Sequence, residues 1–352
     1  GGMKIGGHVH SIATNRARDF QDGTSGDTSA IDVNSVELSL AASPLKAVDA
    51  NVTWLMEEGF PDGGSPGQSF AVDQAYVVLS GNSRVLTQRE ERGDFDVSPW
   101  YAKIGKQYIP FGTEMSYHTF DVISEPQTLQ MAETLESSVL LGYAPSETVN
   151  IYGGAFSGSG GDFEAGSAQD NEIDDYFLGL DVNHGFDGTI SLQWMNNINN
   201  SIALTTEAGT SAEAVGGFSG YASTALGPVR LQLAHVRALD EYDNGGLVTT
   251  GAGQDQPAAT TLEVSYAGLA QIMGRSVTGT LVYDSTEEWL DHPDQTWGAV
   301  VDATVFPGVT GSVEYLDRDY DSTYSGFLAD ERIISARLAV GFEDLFHGSN
   351  GR

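Results

Sequence analysis

Apolar and polar residues alternate one by one through much of this chain. In VNSVELSLA, Val36, Leu38 and Leu40 fall on one side, with Ser35, Glu37 and Ser39 on the other. In VDANVTWLM, Val48, Ala50, Val52, Trp54 and Met56 oppose Asp49, Asn51 and Thr53. YFLGLDV repeats the pattern through Tyr176, Leu178, Leu180 and Val182, and VRLQLAH sets Val229, Leu231 and Leu233 against Arg230 and Gln232. IISARLAVGF does so near the end, through Ile334, Ala336, Leu338, Val340 and Phe342. A period of two predicts strands rather than helices. Sixteen such segments can be counted, the first around Met3 to Ile12.

The connections carry a second pattern. SPLKA, YAPSET, NHGFDG, TALGP and FPG are short and turn-like. QDGTSGDTS, GSGGDFEAGSAQDNE and DEYDNGGLVTTGAGQDQPA are long and polar, and the two kinds largely alternate. Residues 80 to 99 are the exception, a long stretch where a short turn is due. Alternating turn lengths are expected of a membrane barrel with tight turns on the periplasmic side and wide loops outside. The face opposite the apolar one is rich in Gly, Ser, Thr, Asp, Glu, Gln and Arg, as a wet lumen requires. Aromatics gather near strand ends, among them Trp54, Trp100, Tyr101, Tyr143, Trp194, Tyr221, Tyr266, Tyr283, Trp297, Phe306 and Tyr315, where interface girdles would stand. Hydrocarbon offers no partner for an open strand edge, so the strands must close on themselves. The expected fold is all-β: a transmembrane antiparallel up-and-down barrel of about 16 strands spanning residues 1–346, with a tail at 347–352. A soluble β repeat or sandwich is the alternative.

Composition narrows the function. Asp and Glu number 49 against 16 Lys and Arg, a net charge of −33, which repels nucleic acid and favours cations near an acidic opening. The absence of cysteine rules out disulfides, thiol nucleophiles and cysteine metal knuckles. There is no GxSxG elbow and no Walker loop, since GSGG at 158–161 lacks the lysine, so no enzyme is expected. No cofactor is required. The acidic loops DFQDGTSGD, DRDYD and QDNEIDD could bind Ca²⁺, although none completes a Ca²⁺-loop spacing.

One connection stands apart. After KIGK comes QYIPFGTEMSYHTFDVISEPQTLQMAE, the third external loop if the strand count holds. Its Ile109, Phe111, Met115, Tyr117, Phe120, Val122, Ile123 and Leu129 need a surface to pack on. Folding inward against the barrel wall would supply one and narrow the lumen. Pro110 and Gly112 help the chain leave the wall abruptly. SEPQTLQMAE suits a short helix with Ser124 near its start and Pro126 in its first turn. Residues 109–133 are therefore expected to form a constriction loop. The run YAKIGKQYIPFGTEMSYHTFDVISEPQTLQMAETLESSVLLGY, with AVDQAYVVL upstream, resembles the signature region of outer-membrane siderophore porins of the legiobactin-receptor type. GKQYxPFG and the later E-T-x-E carry the likeness together. The resemblance implies a sixteen-stranded Gram-negative outer-membrane barrel linked to ferric-siderophore entry without a TonB-type plug.

Candidate solute contacts follow from position. On the inward loop they are Tyr108, Glu114, Tyr117, His118, Asp121, Glu125 and Glu133. On the wall, alternation turns Glu37, Lys103, Arg230, Gln232, Asp302, Glu314 and Arg337 inward. Mixed carboxylates and bases would set a transverse field across the opening. Lys103, Lys106, Arg230, Arg237 and Arg337 are the bases available to an anionic solute. The expected function is passive outer-membrane uptake of small hydrophilic solutes, with ferric siderophores as candidate cargo. A general cation-preferring diffusion porin and a non-channel adhesion or Ca²⁺-binding barrel are the alternatives. Expected partners are outer-membrane lipid and lipopolysaccharide, the solute, and further copies in a homotrimer.

Overall fold

The computed structural model describes residues 2–45, 47–57, 71–80, 99–112, 123–158, 173–185, 187–204, 214–242, 255–272, 274–289, 291–321 and 328–347. Sixteen strands follow one another: β1 (Gly2–Phe20), β2 (Ser25–Leu45), β3 (Val48–Glu57), β4 (Ala71–Ser80), β5 (Trp100–Tyr108), β6 (Leu135–Tyr143), β7 (Val149–Phe156) and β8 (Asp175–His184). The second half comprises β9 (Gly188–Met195), β10 (Gly217–Leu226), β11 (Val229–Ala238), β12 (Ala258–Ile272), β13 (Arg275–Glu287), β14 (Gln295–Phe306), β15 (Val309–Asp319) and β16 (Leu328–His347). A short helix, α1 (Gln127–Ala132), lies between β5 and β6. Each strand pairs antiparallel with its neighbours in sequence, and β1 pairs with β16 to close the ring.

The alternation sorts side chains between two very different surroundings. Leu141, Leu178, Leu281, Trp297, Val313 and Ile334 are each more than half exposed on the outer face. Burying none of that apolar area against protein makes sense only against lipid. Trp100 packs on Tyr143 at one rim, and Tyr176 on Trp194 and Tyr283 on Trp297 at the other. On β14, Trp297 and Phe306 stand nine residue steps apart, about 23 Å of height for a strand tilted by about 40°. That matches the apolar band of a bilayer-spanning barrel. Among the described residues, no helix is long and apolar enough to cross a membrane. Two aromatics expected in the girdles turn inward instead. Tyr101 donates to Asn150, and Tyr221 is buried with Ala234, Val282 and Val300.

Strand length varies around the ring. β1, β2 and β16 run to 19, 21 and 20 residues, whereas β3 through β11 have 8 to 10. The wall is therefore tall on one side. This changes the reading of QDGTSGDTS: most of it belongs to the extended β2, and only residues 21–24 turn. Thr24 bonds the Asp22 carboxylate through both its N–H and its hydroxyl. A register shift between His10 and Ser11 leaves Asn34 as an extra residue in β2. Outward positions consequently change from Ile31 and Val33 to Val36, Leu38 and Leu40 across it.

The ring is not hollow throughout. Ile109, Phe111, Met131, Phe156, Phe177, Met195, Ile198, Leu204, Val236, Tyr242 and Trp289 form one buried apolar cluster. Its members come from inward-facing positions of β7, β8, β9 and β11 and from the β5–β6, β9–β10, β11–β12 and β13–β14 connections. A dry core thus occupies the lumen side of the short wall, which leaves the wet space against the tall wall.

Candidate functional site

The chain leaves β5 at Tyr108 and enters the lumen. Ile109 and Phe111 are fully buried, and the Gly112 N–H donates to Gln193 Oε1 at 2.7 Å. Gln193 points inward because its neighbour Leu192 is exposed to lipid. Gln193 also donates to the Tyr152 hydroxyl at 3.0 Å, which in turn reaches Asp181. Asp181 accepts from Asn150, and Asn150 from Tyr101. A wall-lining chain of hydrogen bonds therefore runs from β5 through β7, β8 and β9 to the start of the inward segment. Gly112 adopts φ 67°, and an added Cβ would collide with Ala132, so this turn requires glycine.

The segment is held again at the far wall. Glu314 on β15 accepts from the Ile123 N–H at 2.7 Å, the Ser124 N–H at 3.1 Å and the Ser124 hydroxyl at 2.6 Å. Its neighbours Val313 and Tyr315 face lipid, which places the carboxylate inside. Helix α1 then returns along β11, β12 and β13. Pro126 stands at its N-cap rather than in its first turn, with Ser124 two residues earlier engaged by Glu314. Thr128 shares a hydrogen bond with Thr261 at 2.8 Å, and Thr261 donates onward to Asp284. Gln127 meets His292, which stacks on Trp289 with 3.5 Å between centroids, so the β13–β14 connection closes over the helix. Finally the Glu133 carbonyl accepts from the Ile202 N–H at 2.7 Å. The two described parts of the segment, residues 109–112 and 123–133, are thus attached to β9, β12 and β15.

The expected site residues divide accordingly. Tyr108 donates to Asp73 on β4 at 3.3 Å. Glu133, at the end of α1, hydrogen-bonds to both Glu125 and Tyr108, and burial pushes its carboxyl above the ordinary range. Asp73 adds a like charge, so three carboxylates gather at one edge of the wet space. Glu114, Tyr117, His118 and Asp121 lie outside the described residues. On the wall, Glu37 is 4.0 Å from His8, whose ring stacks on His10. The Lys103 ammonium sits 3.9 Å from the centre of the Tyr76 ring. Arg337 donates to Ser312, which pairs with Asp302 on the next strand. Arg230 is exposed at the short-turn end, in phase with Gln232.

Gln232 and Glu314 face inward yet are buried. Gln232 accepts from the Tyr221 hydroxyl and donates to Glu263. Arg237 is exposed and shares the lipid-side phase of Leu233. Sequence reasoning passed over Gln193, Thr261, Asp73, Arg16, Arg18, Arg318 and Glu331. Their inward phase was readable, but their partners sit on other strands or on the inward segment. Among the described residues, no group of three or more His, Cys, Asp or Glu could hold a metal ion.

No family model matches the chain. Its sequence is 22% identical over 342 residues to UPF0422 protein lpp3030 of Legionella pneumophila (strain Paris), which covers 91% of this chain. The chain spans 60% of that protein's length. The outer membrane channel DcaP of Acinetobacter baumannii has a similar structure, with a TM-score of 0.63 at 12% identity over 97% of each chain. OmpF of Salmonella typhi gives 0.60 at 9% identity over 97% of each chain. An anion-selective porin from Comamonas acidovorans gives 0.60 at 12%, over 97% of this chain and 99% of the other. At such identities the likeness is one of fold: a closed sixteen-stranded antiparallel barrel of the outer-membrane porin type.

Proposed function

We propose that the chain forms a passive channel for small hydrophilic solutes across the bacterial outer membrane, with residues 109–133 as its constriction. The observation that carries this reading is the segment attached to Gln193, Glu314 and Thr261 across the lumen. A closed barrel with a lipid-facing exterior and a polar, partly filled interior has a transport path as its natural use. The charges favour selection by orientation. Glu125, Glu133 and Asp73 gather beside β4 and β5, and inward-phase arginines stand on β1, β15 and β16. Such a field aligns dipolar solutes, while the excess of carboxylates favours cations in bulk flow.

The likeness of residues 71–143 to siderophore porins of the legiobactin-receptor type makes ferric siderophores the first cargo to try. A homotrimer is the assembly to test, by native mass in detergent. The deciding experiment is single-channel recording of the refolded chain in planar bilayers, with and without a panel of ferric siderophores. Discrete steps that one siderophore interrupts support selective uptake, and steps indifferent to all of them support a general diffusion channel. Folded, heat-modifiable protein that gives no steps would remove the channel reading and leave a surface-binding barrel.

A further inference from the structure

The β13–β14 connection, described at residues 288–289 and 291–294, has an uncommon backbone. Among the described residues only three other than glycine adopt a positive φ, and two of them are here: Glu288 at 51° and Asp291 at 56°. The left-handed region crowds a Cβ, so glycine is its ordinary occupant. Each strained residue directly precedes one that packs on the inward segment. After Glu288 comes Trp289, 1% exposed in the cluster with Ile109, Phe111 and Met131. After Asp291 comes His292, whose Nδ1 meets Gln127 Oε1 at 2.7 Å at the start of α1.

The feet of the connection are tied. The Thr286 hydroxyl donates to the Pro293 carbonyl at 2.9 Å, and the Thr286 N–H to that of Asp294 at 3.1 Å. Glu288 Oε2 accepts from the Gln256 N–H at 2.7 Å. Strain is thus held between anchored ends, at the two positions that seat the rings. Like charges add to it: Asp255 lies in the field of Glu288, and Asp294 in the fields of Glu287 and Asp321. Sparsely populated backbone persists only where its surroundings hold it, and such strain gathers in elements with two arrangements. Here the restraint is the stack of His292 on Trp289 and their contact with the segment.

We propose that this connection is a sprung strap that positions the constriction. Closed, it seats Trp289 and His292 on the inward segment; the strain of closure maintains a minor released state in which α1 is loosened and the path is wider. This deepens the channel reading and rests on it. Trp289 and His292 act as positioning residues, and neither needs to touch the solute. Release breaks the contact of His292 with Gln127 but leaves Thr128 on Thr261 and Ser124 on Glu314, so the helix shifts without leaving the wall. The fraction of time released sets how often a larger solute passes.

The test compares alanine with glycine at the strained positions, because both remove the native side chain and they differ by one Cβ. In single-channel recordings of the full chain, Glu288→Ala should spend about fivefold longer in excursions to higher conductance than Glu288→Gly. Asp291→Ala should exceed Asp291→Gly in the same sense. Asp187, at φ 45° between β8 and β9, is the control, and its alanine and glycine variants should give equal currents. Oxidation of Trp289 by N-bromosuccinimide, located by peptide mass, reads release without any current. It should run about fivefold faster in Glu288→Ala than in Glu288→Gly. Should Glu288→Ala fail to fold, the Asp291 pair decides the matter. Equal excursions and equal oxidation within both pairs overturn the strap. Oxidation that differs while the currents do not overturns its hold on the constriction. Folded protein that gives no current, with oxidation still ordered, overturns the channel reading and leaves the strap.

Discussion

Replacing Glu314 by alanine should release the far end of the inward segment while leaving the barrel closed. The native carboxylate is fully buried and takes three donors, the N–H groups of Ile123 and Ser124 and the Ser124 hydroxyl. Each hydrogen bond to a charged acceptor contributes about 1.5–3 kcal/mol. The freed donors can find water in the lumen, so the low end applies; the three share one carboxylate and do not add in full, so together they are worth about 3 kcal/mol, twice the low-end value for one bond. At about 1.4 kcal/mol per decade, the released arrangement should gain about 150-fold in population relative to the held one. The attachments at Gln193 and Thr261 are untouched, so the change stays local to the tip. In planar bilayers this should appear as added current flicker and excursions to higher conductance. Glu314→Gln, which keeps the shape and one acceptor, should fall between. Heat-modifiable migration should match the native chain in both variants. If Glu314→Ala gives native conductance and native noise, this carboxylate does not hold the segment.

Three further outcomes can be checked. Gly105 adopts φ 137° on β5, and a Cβ there would strike the Ala75 carbonyl oxygen, with Tyr76 Cα only 2.7 Å away. Gly105→Ala should therefore cost about 2 kcal/mol or more, seen as a lower urea midpoint for the folded barrel. Gln193→Ala removes the partner of both the Gly112 N–H and the Tyr152 hydroxyl and should speed hydrogen exchange at the Gly112 amide about tenfold or more, with no change at Thr261. Burial raises the Glu133 carboxyl above the usual glutamate range, so the fold disfavours its charged form. Protonating it on acidification therefore adds stability rather than removing it. Cation preference, read as a reversal potential, should begin to fall at a pH above that range, and Glu133→Gln should reduce that early fall.

Much of the ring could be read from alternation, because lipid outside and water inside place opposite demands on successive residues. VDANVTWLM becomes β3 with Val52 and Trp54 outward and Asp49 and Thr53 buried inside, as the pattern requires. The pattern fails where the backbone departs from period two. One extra residue at Asn34 shifts the phase, and the tall wall draws the Gly- and Ser-rich residues after Thr24 into a strand. It also cannot tell a wet inward position from a dry one. Glu37 and Gln232 both alternate inward, but Gln232 lies 1% exposed between Tyr221 and Glu263. The aromatic content of the inward segment signalled that it must pack. Its partners Gln193, Glu314 and Thr261 sit 60 residues or more away in sequence, and nothing local selects them.

The β1–β16 ladder pairs every residue from Gly2 to Phe20, and it joins segments more than 300 residues apart. Every other adjacent pair forms between strands consecutive in sequence, at the low loop-closure cost of a hairpin or a modest connection. Bringing β16 to β1 across the whole chain costs about 3 kcal/mol more than closing a ten-residue loop. The seam should therefore be the late event in folding, and the long ladder with its Arg18–Glu331 clasp is the reward that makes it irreversible in practice. Until that moment both edges, some twenty residues each, expose unpaired backbone that lipid cannot satisfy. The vulnerable period in the life of this barrel is set by how long those two edges wait for one another. Mutations in the seam should therefore slow assembly into the membrane before they alter the finished pore.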